Sequence, residues 1–256
     1  MTAYPESAAR FARETVGHEM VILHDDGIYR HLVFRERSHG YYWYELITTP
    51  GQLVFSGDGN SYVFRRTTDM FRFFRLGIRR DGMHNINPGY WSEKLTSGRE
   101  AATSYSTQLF EEEVAKTLAD VEGDYPGITA AWTEHVEAEF NTEYEEEARR
   151  AVAEFQFGEA HLAKCSECHW EFEDESYTAV AAKARSHCRS AGDKHSAPIR
   201  DLTFTFSDMG EVQFQDFDWW FLWACHGILA GIARYDRLHR YGLEKLATRK
   251  PAEVAS

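Results

Sequence analysis

The stretch 29-YRHLVFRERSHGYYWYELITTPGQLVFSGDGNSYVFRR-66 decides the fold. Residues 29–36, 41–48, 52–56 and 61–66 are short runs rich in aromatic and β-branched side chains. Ser38-His39-Gly40, Pro50-Gly51 and Gly57-Asp58-Gly59-Asn60 punctuate them as turn signals. Runs of this length between such turns read as strands joined by tight connections. The expectation is a four-stranded antiparallel meander.

Working outward, Thr67-Thr68-Asp69 provides a helix start, and Met70, Phe71, Phe73, Phe74 and Leu76 supply an apolar face behind it. Residues 77–87 read as a polar loop. Pro88-Gly89-Tyr90-Trp91 then leads into Glu93-Lys94-Leu95 as a short helix. Leu109, Phe110, Val114 and Leu118 keep helical register over 107–121. From Ile128 to Phe155 a period near 3.6 persists through Trp132, Val136, Phe140, Tyr144, Ala148 and Val152, which predicts one long helix. Further on, 202–206 and 212–215 alternate as a hairpin around Ser207-Asp208-Met209-Gly210. Asp216 or Asp218 then caps a helix whose apolar run, 219–233, is too short to span a bilayer. The tail from Lys245 reads as polar and loose.

Between these parts lies the clearest chemical signal, Cys165-Ser166-Glu167-Cys168 followed by His187 and His195. A two-residue gap lets one turn present both sulfurs to a single ion, and zinc takes thiolate and imidazole in a closed tetrahedron. Trp170 and Phe172 follow at strand spacing. Ser176 caps a helix that carries Tyr177, Val180, Ala181, Ala184 and His187 or Cys188 at three- and four-residue intervals, and Gly192 ends it, leaving His195 on the returning loop. The seven residues between the histidines exceed the usual spacing of two-Cys two-His fingers, so Cys188 and His169 stand as alternatives to His195.

The net charge of −13 is unevenly spread. Residues 101–163 hold 3 basic against 15 acidic residues, while the flanking parts are near neutral. Glu134, Glu137, Glu143, Glu145, Glu146 and Glu147 mark an acidic helical face, suited to solvent or to a partner. Arg65, Arg66, Arg72, Arg75, Arg79 and Arg80 form the one basic concentration. With Tyr41, Tyr42, Trp43 and Tyr44 nearby they offer a nucleic-acid surface by stacking and phosphate contact, unless they pair with the acidic middle segment. The finger helix adds Lys183, Arg185 and Arg189, but 165–195 carries four basic against six acidic residues, which favours protein contact. Asp58, His31 and His84 are the residues around which an unfamiliar catalytic site would form. No nucleophile elbow, phosphate loop, dinucleotide fingerprint or His-Glu-x-x-His is present. Four cysteines, two of them in a tight pair, fit a reducing cytoplasm, and the polar stretch 2–13 does not read as a signal peptide.

Several motifs together resemble a family of uncharacterised proteins from tailed phages, prophages and actinobacterial genomes. They are Asp26-Gly27-Ile28-Tyr29-Arg30-His31-Leu32, Pro50-Gly51-Gln52-Leu53, Gly57-Asp58-Gly59, Asp69-Met70-Phe71-Arg72-Phe73-Phe74-Arg75 and Ile86-Asn87-Pro88-Gly89-Tyr90-Trp91-Ser92-Glu93-Lys94. Trp223-Ala224-Cys225-His226 resembles the last helix of the same family. The middle is similar to small Cys-x-x-Cys…His…His modules of actinobacterial and actinophage proteins, in which both cysteines and both histidines hold zinc. The resemblance implies a phage-type accessory protein and transfers no activity.

These readings give an α+β expectation in three parts. Residues 1–160 form an α+β domain with an acidic helical arm at 107–156, 161–197 a zinc-finger module, and 198–256 a hairpin and buried helix completing the core. The function expected first is binding to a host or phage protein in the cytoplasm, with zinc structural. Nucleic-acid binding through residues 65–80 and the finger helix comes second, and an enzyme around Asp58, His31 and His84 third.

Overall fold

A computed structural model describes residues 4–79, 81, 83–158, 160–207 and 209–240. The fold is α+β, and the chain divides into two compact units, residues 1–104 with 216–256, and residues 105–215.

The first unit is built on a six-stranded antiparallel sheet in sequential order β1 to β6. Its strands are β1 (Glu19–Asp26), β2 (Tyr29–Arg35), β3 (Tyr44–Thr49), β4 (Gln52–Gly57), β5 (Tyr62–Arg65) and β6 (Leu95–Ser97). The four expected strands are its centre, and β1 and β6 extend it on either side. Alternation sorts the faces: Leu32, Phe34, Tyr44, Leu46, Leu53, Phe55, Tyr62 and Phe64 are all buried on one side. Helix α8 (Trp219–Arg240) covers that side, with Phe221, Trp223, Ile228, Leu229 and Ile232 in the same core. Gly231 permits the close approach, because a Cβ there would lie 2.6 Å from Leu46 and 2.9 Å from Phe34. Trp223 meets Phe11 and Tyr44 edge-on at 5.0 and 5.4 Å between ring centroids. Phe11 belongs to the N-terminal helix α1 (Pro5–Glu14).

Helix α2 (Met70–Phe74) starts where Asp69 accepts the Phe71 N–H at 3.0 Å, and a 3₁₀ turn (Arg75–Gly77) continues it. Leu76, expected on the apolar face, is 90 % exposed because the tighter 3₁₀ turn rotates it off the stripe. Helix α3 (Pro88–Ser92) ends before Leu95, which enters β6 rather than the expected helix. Asp218 is the cap of α8, accepting the Trp220 N–H at 2.8 Å.

Short strands β7 (Thr103–Tyr105) and β13 (Gln215–Phe217) lie where the chain passes between units. The second unit begins with α4 (Thr107–Val121), α5 (Ile128–Glu139) and α6 (Glu145–Glu154), packed around Phe110, Val114, Leu118, Trp132, Ala148 and Phe155. The single long helix expected over 128–155 is therefore two. Phe140 and Tyr144 adopt extended backbone, and Asn141 accepts the Glu143 N–H at 3.1 Å, a local bond that competes with the helical ladder. Among the described residues, 202–206 and 212–215 do not pair as the expected hairpin. Instead β12 (Phe204–Thr205) pairs antiparallel with β8 (Gln156–Phe157), which places Phe204 against Phe155. Asp208 of its proposed turn, Arg80 and the tail from Lys245 lie outside the described residues.

The rest of this unit is a three-stranded sheet in the order β10-β9-β11, with one helix against it. It comprises β9 (His161–Lys164), β10 (Glu171–Asp174), α7 (Tyr177–Ala191) and β11 (Ile199–Asp201). Its own core of buried residues is small: Ala163, Val180 and Ala184.

Candidate metal centre

Strand β9 runs directly into Cys165, whose N–H donates to the Trp170 carbonyl at 2.9 Å. That bond closes the turn 165–170 and turns Cys165 and Cys168 toward the same side. Ser166 N–H donates to Ser196 O at 2.9 Å, tying the turn to the loop that bears His195. On the helix, Ser176 Oγ accepts the Ala179 N–H at 3.3 Å. Val180, Ala184 and His187 then follow at four- and three-residue spacing on the face that meets the sheet. Gly192 at φ 101° lets the chain leave α7, and His195 N–H donates back to Gly192 O at 3.0 Å.

These local devices converge on one point. Cys165 Sγ lies 3.3 Å from His195 Nδ1, and Cys168 Sγ lies 3.5 Å from His187 Nε2. One ligand atom from each of the four residues falls within 4.8 Å of all the others. Zinc with bonds of about 2.3 Å to sulfur and about 2.0 Å to nitrogen sets tetrahedral S–N edges of roughly 3.5 Å, so the two measured separations fit such an ion. The Trp170 indole stacks on the His187 imidazole at 4.3 Å and 3°, which holds the ring plane. Burial pushes the Cys165 thiol up. The Glu167 backbone N–H, followed by His187, His195 and Cys168, outweighs it and brings the value down to about 6. The sulfur is therefore thiolate-like at neutral pH, the form that binds metal. The group could hold a metal ion. Cys188 and His169 are outside it: Cys188 faces a groove on α7, and His169 is exposed.

The other sequence candidates do not assemble. His31 lies on the sheet face away from α8, 2.7 Å from Glu45 Oε2, while Glu45 Oε1 accepts from Ser56 at 2.7 Å. Burial raises the Glu45 carboxyl, and these two hydrogen bonds more than offset it, leaving it lowered. His84 is instead on the α8 side, stacked on His226 at 5.8 Å. Asp58 closes a hairpin, accepting the Tyr42 N–H at 2.9 Å. The three residues serve three separate local structures.

The basic concentration is partly spent inside its own unit. Arg75 makes two hydrogen bonds to Asp236 at 2.6 and 2.8 Å, and Arg79 pairs with Asp81 at 3.2 Å, so these two arginines find partners outside the acidic middle segment. Arg65, Arg66 and Arg72 are exposed. Of the neighbouring rings, Tyr44 is buried between Phe34 and Phe55, Tyr42 packs near Trp220 and Trp223, and Tyr41 is exposed. On α6, Glu145 pairs with Arg149 and Glu147 with Arg150.

One arrangement had no sequence signal. His226 is buried in α8 with Nε2 3.1 Å from Ser7 Oγ and with Nδ1 unpartnered among the described residues. Burial, then the neighbouring His84, lowers its pKa to about 4. A histidine inside an apolar run carries no pattern that distinguishes a buried neutral ring from any other.

Comparison with protein-family models, curated proteins and solved structures gives no match. Among the described residues, no helix is long and apolar enough to cross a membrane.

Proposed function

We propose that this chain is an accessory protein of the tailed-phage type that acts by binding another protein, with one structural zinc in its second unit. The convergence of Cys165, Cys168, His187 and His195 carries the reading. Two thiolates and two imidazoles suit zinc better than the hard, oxygen-preferring cations. Four protein ligands leave no open coordination position, which is the arrangement of a structural ion rather than a catalytic one. A cytoplasmic setting keeps such thiols reduced.

The acidic face favours a protein partner. Glu134 and Glu137 on α5, Glu143 in the following turn and Glu146 on α6 are exposed and have no basic partner among the described residues, in a segment rich in acid. The second reading is nucleic-acid binding, supported by the exposure of Arg65, Arg66, Arg72, Lys183, Arg185 and Arg189. Native mass spectrometry of protein purified without chelator tests the metal: one zinc per chain, lost in Cys165→Ser, is expected, and an apo mass for the wild type overturns it. Affinity that falls steeply with salt and with Arg72→Ala marks the nucleic-acid reading. Affinity lost when the glutamates of 143–147 become Gln, and kept in Arg72→Ala, marks the first.

A further inference from the structure

Strand β11 is an edge of this three-stranded sheet, with β9 its only strand neighbour among the described residues, in the order β10-β9-β11. Its register with β9 pairs Ile199 with Ala163, Arg200 with Leu162 and Asp201 with His161. Lys164 N–H donates to Pro198 O and Leu202 N–H to Ala160 O, so alternation directs the backbone of Arg200 toward β9 and that of Ile199 and Asp201 outward. The peptide groups of an edge strand that point outward are a template for another chain.

Beside this edge runs a groove of about 660 Å³ between β11 and α7. Its floor includes Ala181, Ala184, Ala197 and Ile199, and its rim carries Arg185 and Arg189. Both arginines are exposed, and neither guanidinium has a carboxylate partner among the described residues. Arg189 Nε instead donates to the Arg185 carbonyl at 3.3 Å. Among the described residues no acidic side chain lines the groove, although acids outnumber bases 41 to 28 in the chain. Small floor residues leave depth for alternate side chains of an extended peptide, and the paired cations select their charge.

We infer that this groove takes an extended acidic peptide segment of a partner protein, which adds to β11 as a fourth strand and sets its carboxylates against Arg185 and Arg189. The inference rests on the protein-binding reading above and names the chemistry of the partner. Phosphate would also meet the arginines, but a nucleic-acid backbone makes no use of outward N–H and C=O groups spaced along a strand.

The test is fluorescence anisotropy on the zinc-loaded full chain with a labelled, end-capped decapeptide of alternating Val and Glu. Three comparisons accompany it: the same peptide with Lys for Glu, the Val-Glu peptide N-methylated at alternate amides, and a labelled oligothymidylate. Saturable binding of the Val-Glu peptide is expected, about tenfold weaker after N-methylation, at least tenfold weaker for the Lys peptide, and about a hundredfold weaker in Arg185→Glu/Arg189→Glu. Native mass spectrometry of the double variant must still show one zinc, so that loss of binding reports the groove and not the fold. Absence of binding, indifference to N-methylation or to the double variant, or tighter binding of oligothymidylate at the same arginines overturns the proposal. The first two outcomes leave the zinc and the acidic-face reading standing, because the substitutions in 143–147 and the metal count test those separately.

Discussion

The sheet of the first unit and the metal module of the second solve the same folding problem with unlike means. Around β1–β6 and α8, 25 buried apolar residues form one continuous core that includes Trp223, Phe34, Phe55, Tyr62 and Phe221. In the metal module only Ala163, Val180 and Ala184 form the buried core, with Trp170, Phe172, Ala197 and Ile199 partly covered around it. Apolar burial scales with area, at about 25 cal/mol per Å², so three small side chains contribute only a few kcal/mol. A structural zinc supplies on the order of 10 kcal/mol or more of coupled binding and folding energy. One region is held by the quantity of its burial; in the other, an ion bound by the four clustered side chains would supply the constraint that burial does not. On the proposed reading, a segment poor in apolar residues keeps a defined shape, and exposes a groove and a strand edge, because the constraint sits elsewhere.

The largest expected effect breaks the contrast directly. Chelation, or Cys165→Ser, should unfold 161–201 while leaving the first sheet intact. Hydrogen exchange followed by mass spectrometry should show lost protection in β9, β10 and α7 and retained protection in β2–β5. Retained protection in β9, β10 and α7 would show that the module does not depend on metal in the way its small core implies, and equal loss in both regions would show that the two are not held independently.

The reverse experiment perturbs the aromatic core. Trp223→Ala removes a side chain that is 1 % exposed and whose Nε1 donates to Glu14 at 2.9 Å. A cost of about 3–5 kcal/mol is expected, read as a lower urea midpoint for the first unit with zinc stoichiometry unchanged. A shift below about 1 kcal/mol would contradict the packing described here.

Acidification sharpens the comparison, since both regions carry histidine in different roles. His226 titrates near 4 in the folded chain, below its ordinary value of 6.5, so the unfolded chain takes up the proton first. Its contribution is fully present above pH 6.5 and is lost as the pH falls toward 4, amounting to about 3 kcal/mol at most. His226→Gln should flatten that dependence when stability is followed by hydrogen exchange in α8. Zinc release, measured with a chromogenic chelator, should keep its own pH profile in that variant.

The smallest effect tests the ligand set. Cys188→Ser should retain one zinc and change stability by about 0.5 kcal/mol or less, whereas His195→Ala should weaken metal retention in native mass spectra. The opposite ranking would move the fourth ligand to Cys188.

Much of this architecture was legible locally. The turns at Pro50-Gly51 and Gly57-Asp58 and the alternation between them marked β2–β5, and Asp69 and Ser176 announced their helices, because periodicity and capping involve residues a few positions apart. Cys165 and Cys168 were readable as a pair on one turn for the same reason. The break after Glu139 was not, because the apolar period continues through Phe140 and Tyr144 while the Asn141 turn interrupts the backbone. Leu202–Phe206 alternates like half of a hairpin, yet Phe204 finds its partner in Phe157, 47 positions earlier.

The sequence by itself determined the antiparallel centre of the sheet, the apolar character of α8 and the cysteine turn, each a matter of short-range pattern. Only the tertiary structure decided that β1 and β6 complete the sheet, that α8 closes over strands nearly 200 residues away, and that His195 rather than Cys188 or His169 joins Cys165, Cys168 and His187 in one cluster. Those outcomes depend on which surfaces and ligand atoms meet once the chain has closed on itself, and spacing along the chain does not encode that meeting.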